Sequence, residues 1–272
     1  MTEKNISNIA IHTITNRPWT TEQCIEEYSK TGIGGITFWR YSFEGRDPKK
    51  VGEQARNSGL DVVSVARGGF FAAESKEDRV KAIDDNKKAI DETHAVGASS
   101  LVLVCGSSKH QSLDTSRGQI QDGIAECLEH AKDAEVILAI EPLHPMYAAE
   151  RSAINNMAQA NTICENLDNH PNVGVALDVY HTWWDEKLNE EISRSFNNGN
   201  LTSYHICDWL SPMEDMLNDR GLMGEGSVDI NQISKWVTES GFTGFHEVEI
   251  FSERWWKIDQ HHYLNKIITY FE

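Results

Sequence analysis

Basic charge is what this chain of 272 residues most lacks: 25 Lys and Arg stand against 42 Asp and Glu, a formal net charge of −17. Nucleic acid and anionic membrane surfaces both require clustered Lys and Arg, so neither is expected as a partner. An endonuclease acting at abasic DNA sites is disfavoured on the same ground. No stretch approaches the ~18 consecutive apolar residues of a membrane span. The opening residues MTEKNISNIAIHTI hold no long apolar segment and no cleavage pattern, so no secretory signal is expected and the protein reads as cytoplasmic. Cys24, Cys105, Cys127, Cys164 and Cys207 form no CxxC pair. Odd in number and mostly set in apolar runs, they read as reduced core thiols. There is no GxGxxG and no P-loop, which removes the Gly-rich turn that a doubly wound open sheet would want. With no linker or low-complexity segment either, residues 1–272 are expected to form one domain.

What is present is a rhythm. An amphipathic stretch ends near a glycine and a short β-branched run follows, as in Ser58-Gly59 before Val62 to Val65 and Val96-Gly97 before Leu101 to Val104. Capping residues precede the amphipathic stretches: Thr20 or Thr21 with Glu22 nearby, Asp47 with Pro48, and Ser75 with Asp78. Apolar runs predict strands at Ile9–Ile14, Gly35–Trp39, Val62–Ala66, Leu101–Cys105, Val136–Ile140, Val173–Leu177, Ser203–Cys207 and Phe245–Ile250. A helical stretch follows each, the last being Ile258 to Tyr270. Eight such alternations in a chain near the ~250 residues of one barrel predict an α/β fold, a single (β/α)8 TIM barrel. A stacked solenoid would need more regular repeat lengths.

In a barrel the carboxyl ends of all eight strands converge on one face, so the strand ends can be read as one site. They carry His12, Trp39 with Arg40, Arg67, Gly106 with Ser107, Glu141 with His144, Asp178 with His181, His205 with Asp208, and Glu247 or Glu249. Three carboxylates converging on one point raise each other's pKa unless a cation offsets them. A divalent ion does so economically, and three oxygen donors with one imidazole favour a Mn²⁺- or Mg²⁺-like ion, with Zn²⁺ and Co²⁺ also compatible. Glu247 and Glu249 lie two residues apart and hence on the same strand face, which leaves the choice between them open.

The pieces AIEPLHP (139–145), VALDVYH (175–181), SYHICD (203–208), RGLMGEGSVD (220–229) and GFTGFHEVEIF (241–251) resemble the xylose-isomerase-like sugar phosphate isomerase/epimerase superfamily, which includes ketose 3-epimerases. The resemblance implies metal ligands at Glu141, Asp178, His205 and Glu249, and prefers Glu249 over Glu247. It also implies substrate contacts from His181 and from Arg220, which precedes a Gly-Glu-Gly turn. His12, Trp39 and Arg67 join these as candidate substrate-binding residues from their strand ends. Where ketose 3-epimerases usually have Asn, this chain has His144, which reads either as a general base near neutral pH or as a hydrogen-bonding side chain held by Pro145.

The implied reaction is isomerisation or epimerisation of a sugar: a base removes the proton beside a carbonyl, the metal stabilises the enediolate, and Glu141 and Glu249 shuttle the proton. Similarity of His144, the Trp-rich rim and the RGLMGEG…ERWW pattern to catalytic subunits of bacterial C-glycoside deglycosidases implies an alternative. That alternative is metal-assisted elimination from 3-oxo-glucosides, with a small partner subunit, or a related oxo-sugar dehydration. Either way the expected partner is a small sugar or oxo-sugar glycoside, and homo-oligomers are the family's habit. A metal-free sugar-binding barrel is the non-enzymatic alternative.

Overall fold

The computed structural model describes residues 6–272; the first five residues of the expected domain range lie outside it. Eight parallel strands close into a barrel: β1 (Ile9–His12), β2 (Gly35–Trp39), β3 (Asp61–Gly69), β4 (Ser100–Val104), β5 (Ile137–Glu141), β6 (Val173–Asp178), β7 (Leu201–Ile206) and β8 (His246–Val248), with β8 paired to both β7 and β1. The outer ring is made by α1 (Thr21–Ser29), α2 (Pro48–Asn57), α3 (Lys76–Val96), α4 (Leu113–Asp133), α5 (Met157–Asn166), α6 (Leu188–Asn197), α7 (Ile230–Ser240) and α8 (Gln260–Phe271). This is the (β/α)8 barrel that the alternating pattern predicts. Among the described residues, no helix is long and apolar enough to cross a membrane.

The capping signals act locally as their chemistry requires. Thr20 opens α1 in a capping box whose partner is Gln23 rather than Glu22, Asp47 accepts from Lys49 N with Pro48 behind it, and Ser75 accepts from Asp78 N. The main apolar core lies between the barrel and its helices, where Ile11, Ile36, Leu101, Leu138 and Val175 meet helical residues such as Ile25, Ile90, Ile124 and Ile267. All five cysteines are buried and free.

Inside the barrel the two halves differ. β3 to β6 contribute Ala66, Val102, Ala139 and Ala176, which form a small apolar cluster with Trp39 packed against it. The opposite half is polar. Glu247 on β8 accepts hydrogen bonds from Thr37 Oγ1 on β2 (2.6 Å), Ser64 Oγ on β3 (2.9 Å) and His12 Nε2 on β1 (3.2 Å). β8 neighbours neither β2 nor β3, so these bonds run through the barrel interior.

One strand-end carboxylate is structural. Asp208, just past β7, pairs in a short antiparallel ribbon, Asp208–Trp209 against Arg220–Gly221. Its carboxylate accepts from the backbone N–H of Trp209 (2.8 Å), Gly224 (2.9 Å), Gly226 (2.9 Å) and Val228 (3.0 Å). Glycine is required at 226, because a Cβ there would fall 2.2 Å from the Trp209 carbonyl oxygen. Asp208 thus pins residues 224–228 and the ribbon that carries Arg220. Asp208→Asn turns an acceptor of several N–H groups into a partial donor facing them, and should cost about 3 kcal/mol, seen as a lower urea midpoint at unchanged slope. An unchanged midpoint would show that the loop is held by other contacts.

Candidate metal centre and substrate cavity

Glu141 and Asp178 are the last residues of β5 and β6, His205 is next to last in β7, and Glu249 follows the end of β8. Asp178 pairs in register with His205, and His205 with Glu247. One ligand atom from each of Glu141, Asp178, His205 and Glu249 lies within 4.8 Å of the others, and all four residues are buried. The choice that the two-residue period left open is resolved by depth. Glu249 joins this set at the mouth, while Glu247 sits one layer down with His12 and His205.

Three buried carboxylates and an imidazole are a donor set suited to a divalent ion. A second feature fits the same purpose. His205 turns Nδ1 to Glu141 Oε1 at 3.1 Å and Nε2 toward Glu247 Oε1 at 3.8 Å. Metal-ligating imidazoles are commonly oriented by a further carboxylate on their other nitrogen. The cluster could therefore hold a metal.

Electrostatics at the centre are set by burial against charge. Burial alone would depress His205, but its hydrogen bond to Glu141 and the charges of Glu247 and Glu249 raise it to about 10. His12 is likewise raised despite burial, chiefly by Glu249, 2.9 Å from Nδ1, and by Glu247 on the other ring nitrogen. Burial would raise Glu247, yet His12, His205 and Thr37 hold it down at about 2. Glu249 is also held low against burial, by His12 and Arg220. Asp178 goes the other way, because burial and the charges of Glu141 and Glu249 outweigh Arg220.

Arg220 is fully embedded in this cluster. Its Nη1 donates to Asp178 Oδ2 (2.8 Å) and Glu249 Oε2 (3.0 Å), and its Nη2 lies 3.2 Å from His181 Nε2. Tyr180 and Phe251 present ring faces to its guanidinium at 4.5 and 4.8 Å. Burial and the nearby Arg220 charge push His181 well below its ordinary value, so it is neutral. With Nε2 accepting from Arg220, the proton of His181 sits on Nδ1, which is buried without a partner.

Above the cluster is a cavity lined by Glu141, Glu249, His181, Arg220, Trp39 and Arg67, and also by Arg151, Tyr147, Leu217 and Phe251. Ala66 and Val102 from the small-residue half of the barrel line it as well. Buried polar atoms without partners gather here: Trp39 Nε1, Arg67 Nε, His181 Nδ1 and Arg220 Nε. Buried polar groups are almost always satisfied, and a polar ligand in this cavity would supply partners for these four. The loops after β5 and β7 meet over it, where the Tyr147 hydroxyl donates to the Met216 carbonyl.

Of the residues singled out from sequence, Trp39, Arg67, Glu141, His181, Arg220 and Glu249 line the cavity. His12 lies beneath Glu249 and does not. His144 does not line it either: its Nδ1 accepts from Met146 N at 3.2 Å, capping a short turn, and its ring packs 4.7 Å from Trp209 and 5.9 Å from Trp184. Burial lowers its pKa. Trp255 stacks on Tyr263 and Trp256 donates to the carbonyls of Ile14 and Thr15, so these rim tryptophans are engaged in the scaffold. Arg151, Tyr147 and Leu217 escape sequence reading because they lie on loops with no strand-end position to mark them.

Comparison with known proteins bears on the whole chain. The profile of the xylose isomerase-like TIM barrel family matches residues 25–268. The chain is 25% identical over 187 residues to the L-ribulose-5-phosphate 3-epimerase UlaE of Salmonella typhi, covering 67% of this chain and 61% of that protein, less than two thirds of its length. The crystal structure of protein SMc04130 from Sinorhizobium meliloti 1021 matches with a TM-score of 0.93 and 41% identity over 97% of both chains. That of an IOLI protein with a bound zinc atom has the same fold at a TM-score of 0.83 and 18% identity, over 96% of this chain and 95% of that one. With its profile spanning nearly all the barrel, the chain belongs to the xylose isomerase-like TIM barrel family.

Proposed function

We propose that this protein is a divalent-metal-dependent sugar isomerase or epimerase that moves a proton at the carbon beside a substrate carbonyl. The observation that carries the reading is the buried set Glu141, Asp178, His205 and Glu249 at the floor of a polar-lined cavity, with two of its carboxylates also lining that cavity. These four residues would hold a divalent ion, Mn²⁺ by preference with Mg²⁺, Co²⁺ or Zn²⁺ compatible, and it would supply Lewis acidity there. The named activity of the Salmonella typhi relative, a 3-epimerase, supports the same reaction class.

The chain's own residues divide the remaining work. Glu249 lines the cavity as a carboxylate and is the base assigned to the C–H proton; His12 and Arg220, which hold its pKa low, fix its ionised form and its position rather than raise its basicity. Glu141 reaches the cavity from another strand, three strands away around the barrel, and returns a proton to the other face or to the adjacent carbon. His181 offers its Nδ1–H to a substrate oxygen, and the Trp39 ring gives a flat apolar wall for the sugar. Eliminating chemistry on 3-oxo-glucosides draws on His144 at the site, and His144 is instead spent on capping a turn and packing against tryptophans. We therefore give His144 no proton-transfer step.

Two measurements follow. Incubated with Mn²⁺ and a panel of ketoses in D₂O, the wild type should place deuterium beside the carbonyl with the carbon skeleton intact, and Glu249→Gln should slow this by ~10²-fold or more. Exchange at the wild-type rate in Glu249→Gln would remove Glu249 as the base. His144→Ala should keep exchange near the wild-type rate; a loss on the ~10²-fold scale of a missing general base would restore His144 to the chemistry.

A further inference from the structure

Most arginines of this acidic chain have partners. Among the described residues, Arg40, Arg46, Arg117, Arg194, Arg220 and Arg254 donate to carboxylates, and Arg56 and Arg79 donate to backbone carbonyls. Arg17, Arg67 and Arg151 do neither; Arg17 lies over the Trp256 ring, whereas Arg67 and Arg151 line the same cavity. Arg67 Nε is buried without a partner, and its guanidinium lies 4.3 Å over the Phe70 ring. Arg151 stands 5.7 Å over the ring of Tyr147. Burial first, then the like charges of Arg151 and Arg40, depress Arg67 to about 10, which leaves it charged at neutral pH. Both arginines line one cavity, close enough for the charge of Arg151 to act on Arg67, and among the described residues neither donates a hydrogen bond to a carboxylate.

The fold goes to some length to put Arg67 there. In the β3–β4 ladder Ala66 pairs with Val102 and Gly68 with Leu103, so Arg67 is the unpaired residue of a bulge. Bulges re-aim a side chain out of the regular alternation. The bulge depends on its glycines: a Cβ at Gly68 would fall 2.5 Å from Asn86 Oδ1, and Gly69 has φ +107° with Val104 O only 2.0 Å from a would-be Cβ. Buried Asn86 on α3 then clamps it, accepting from Gly69 N and donating to Gly69 O, both at 2.7 Å. Arg151 is fixed from the other side, its N–H bonded to Tyr147 O and its carbonyl accepting from Gly106 N, both at 2.9 Å.

We propose that Arg67 and Arg151 bind an oxyanion carried by the substrate, so that the sugar is a phosphate ester or a sugar acid rather than a neutral ketose. This deepens the isomerase reading and rests on it for the sugar, though the anion site itself stands on the arginines. Arg220 is not part of this pair, since Asp178 and Glu249 already match its charge. An oxyanion between two guanidiniums takes charge-assisted hydrogen bonds from both and relieves their repulsion.

The test titrates inorganic phosphate and, separately, acetate into the full-length protein by calorimetry at constant ionic strength, with Mg²⁺ in excess and again with chelator. Arg67→Gln, Arg151→Gln and Arg67→Lys are compared with wild type, and Arg46→Gln controls for loss of a distant, exposed charge paired to Glu22. Wild type and Arg46→Gln should show saturable binding of at least one anion with or without Mg²⁺. Either glutamine variant should weaken it at least ~10-fold, with Arg67→Lys in between. Tighter phosphate points to a phosphate ester and tighter acetate to a sugar acid. No saturable binding of either anion to wild type, or equal affinity in wild type and both glutamine variants, overturns the proposal. Deuterium exchange into neutral ketoses without anion binding leaves the isomerase reading standing and this one fallen; anion binding with no exchange in any ketose does the reverse.

Discussion

Like charges placed where water is scarce are the constraint on which the rest of this molecule depends. Glu141, Asp178, Glu247 and Glu249 are all buried within one end of one barrel. Two carboxylates a few ångströms apart in a dry site cannot both stay ionised without compensation. The protein supplies part of it: His205 toward Glu141, His12 between Glu247 and Glu249, and Arg220 between Asp178 and Glu249. Asp178 nonetheless keeps a raised pKa in spite of its arginine, first because it is buried and then because Glu141 and Glu249 lie near it.

Scaffold features serve that cluster. Alanines on β5 and β6 and small residues on β3 and β4 keep half the barrel interior low, while Thr37 and Ser64 give Glu247 the hydrogen bonds that a buried carboxylate needs. Asp208 spends its carboxylate on backbone N–H groups and so holds the ribbon from which Arg220 enters. Asn86 does comparable service for Arg67 through a bulge.

Much of this was legible in the sequence, because β-branched runs and helix caps are local signals. The eight strands appear where the apolar runs lie, with ends shifted by a few residues: β3 extends to Gly69 through its bulge, and β8 contracts to His246–Val248. Reading residues at strand ends brought together Glu141, Asp178, His205 and one of Glu247 and Glu249, because parallel strands in a barrel bring their carboxyl ends together, and the family resemblance preferred Glu249. Depth was not legible. Glu247 and Glu249 share a face by the two-residue period, and only the closed barrel separates a lumen carboxylate from one at the mouth. Nor could spacing tell that Asp208 staples a loop, that His144 caps a turn, or that Arg151 on a loop would share a cavity with Arg67; each depends on contacts between segments far apart in the chain.

The central claim is that the four-residue cluster exists to hold a divalent ion. Calorimetric titration of Mn²⁺ into chelator-treated protein, paired with elemental analysis of protein purified without added metal, tests it most directly. One ion per chain is expected, with a higher melting temperature on binding and loss of both in a folded Asp178→Asn variant. Absence of saturable binding by the wild type, or the same binding in Asp178→Asn, would contradict it.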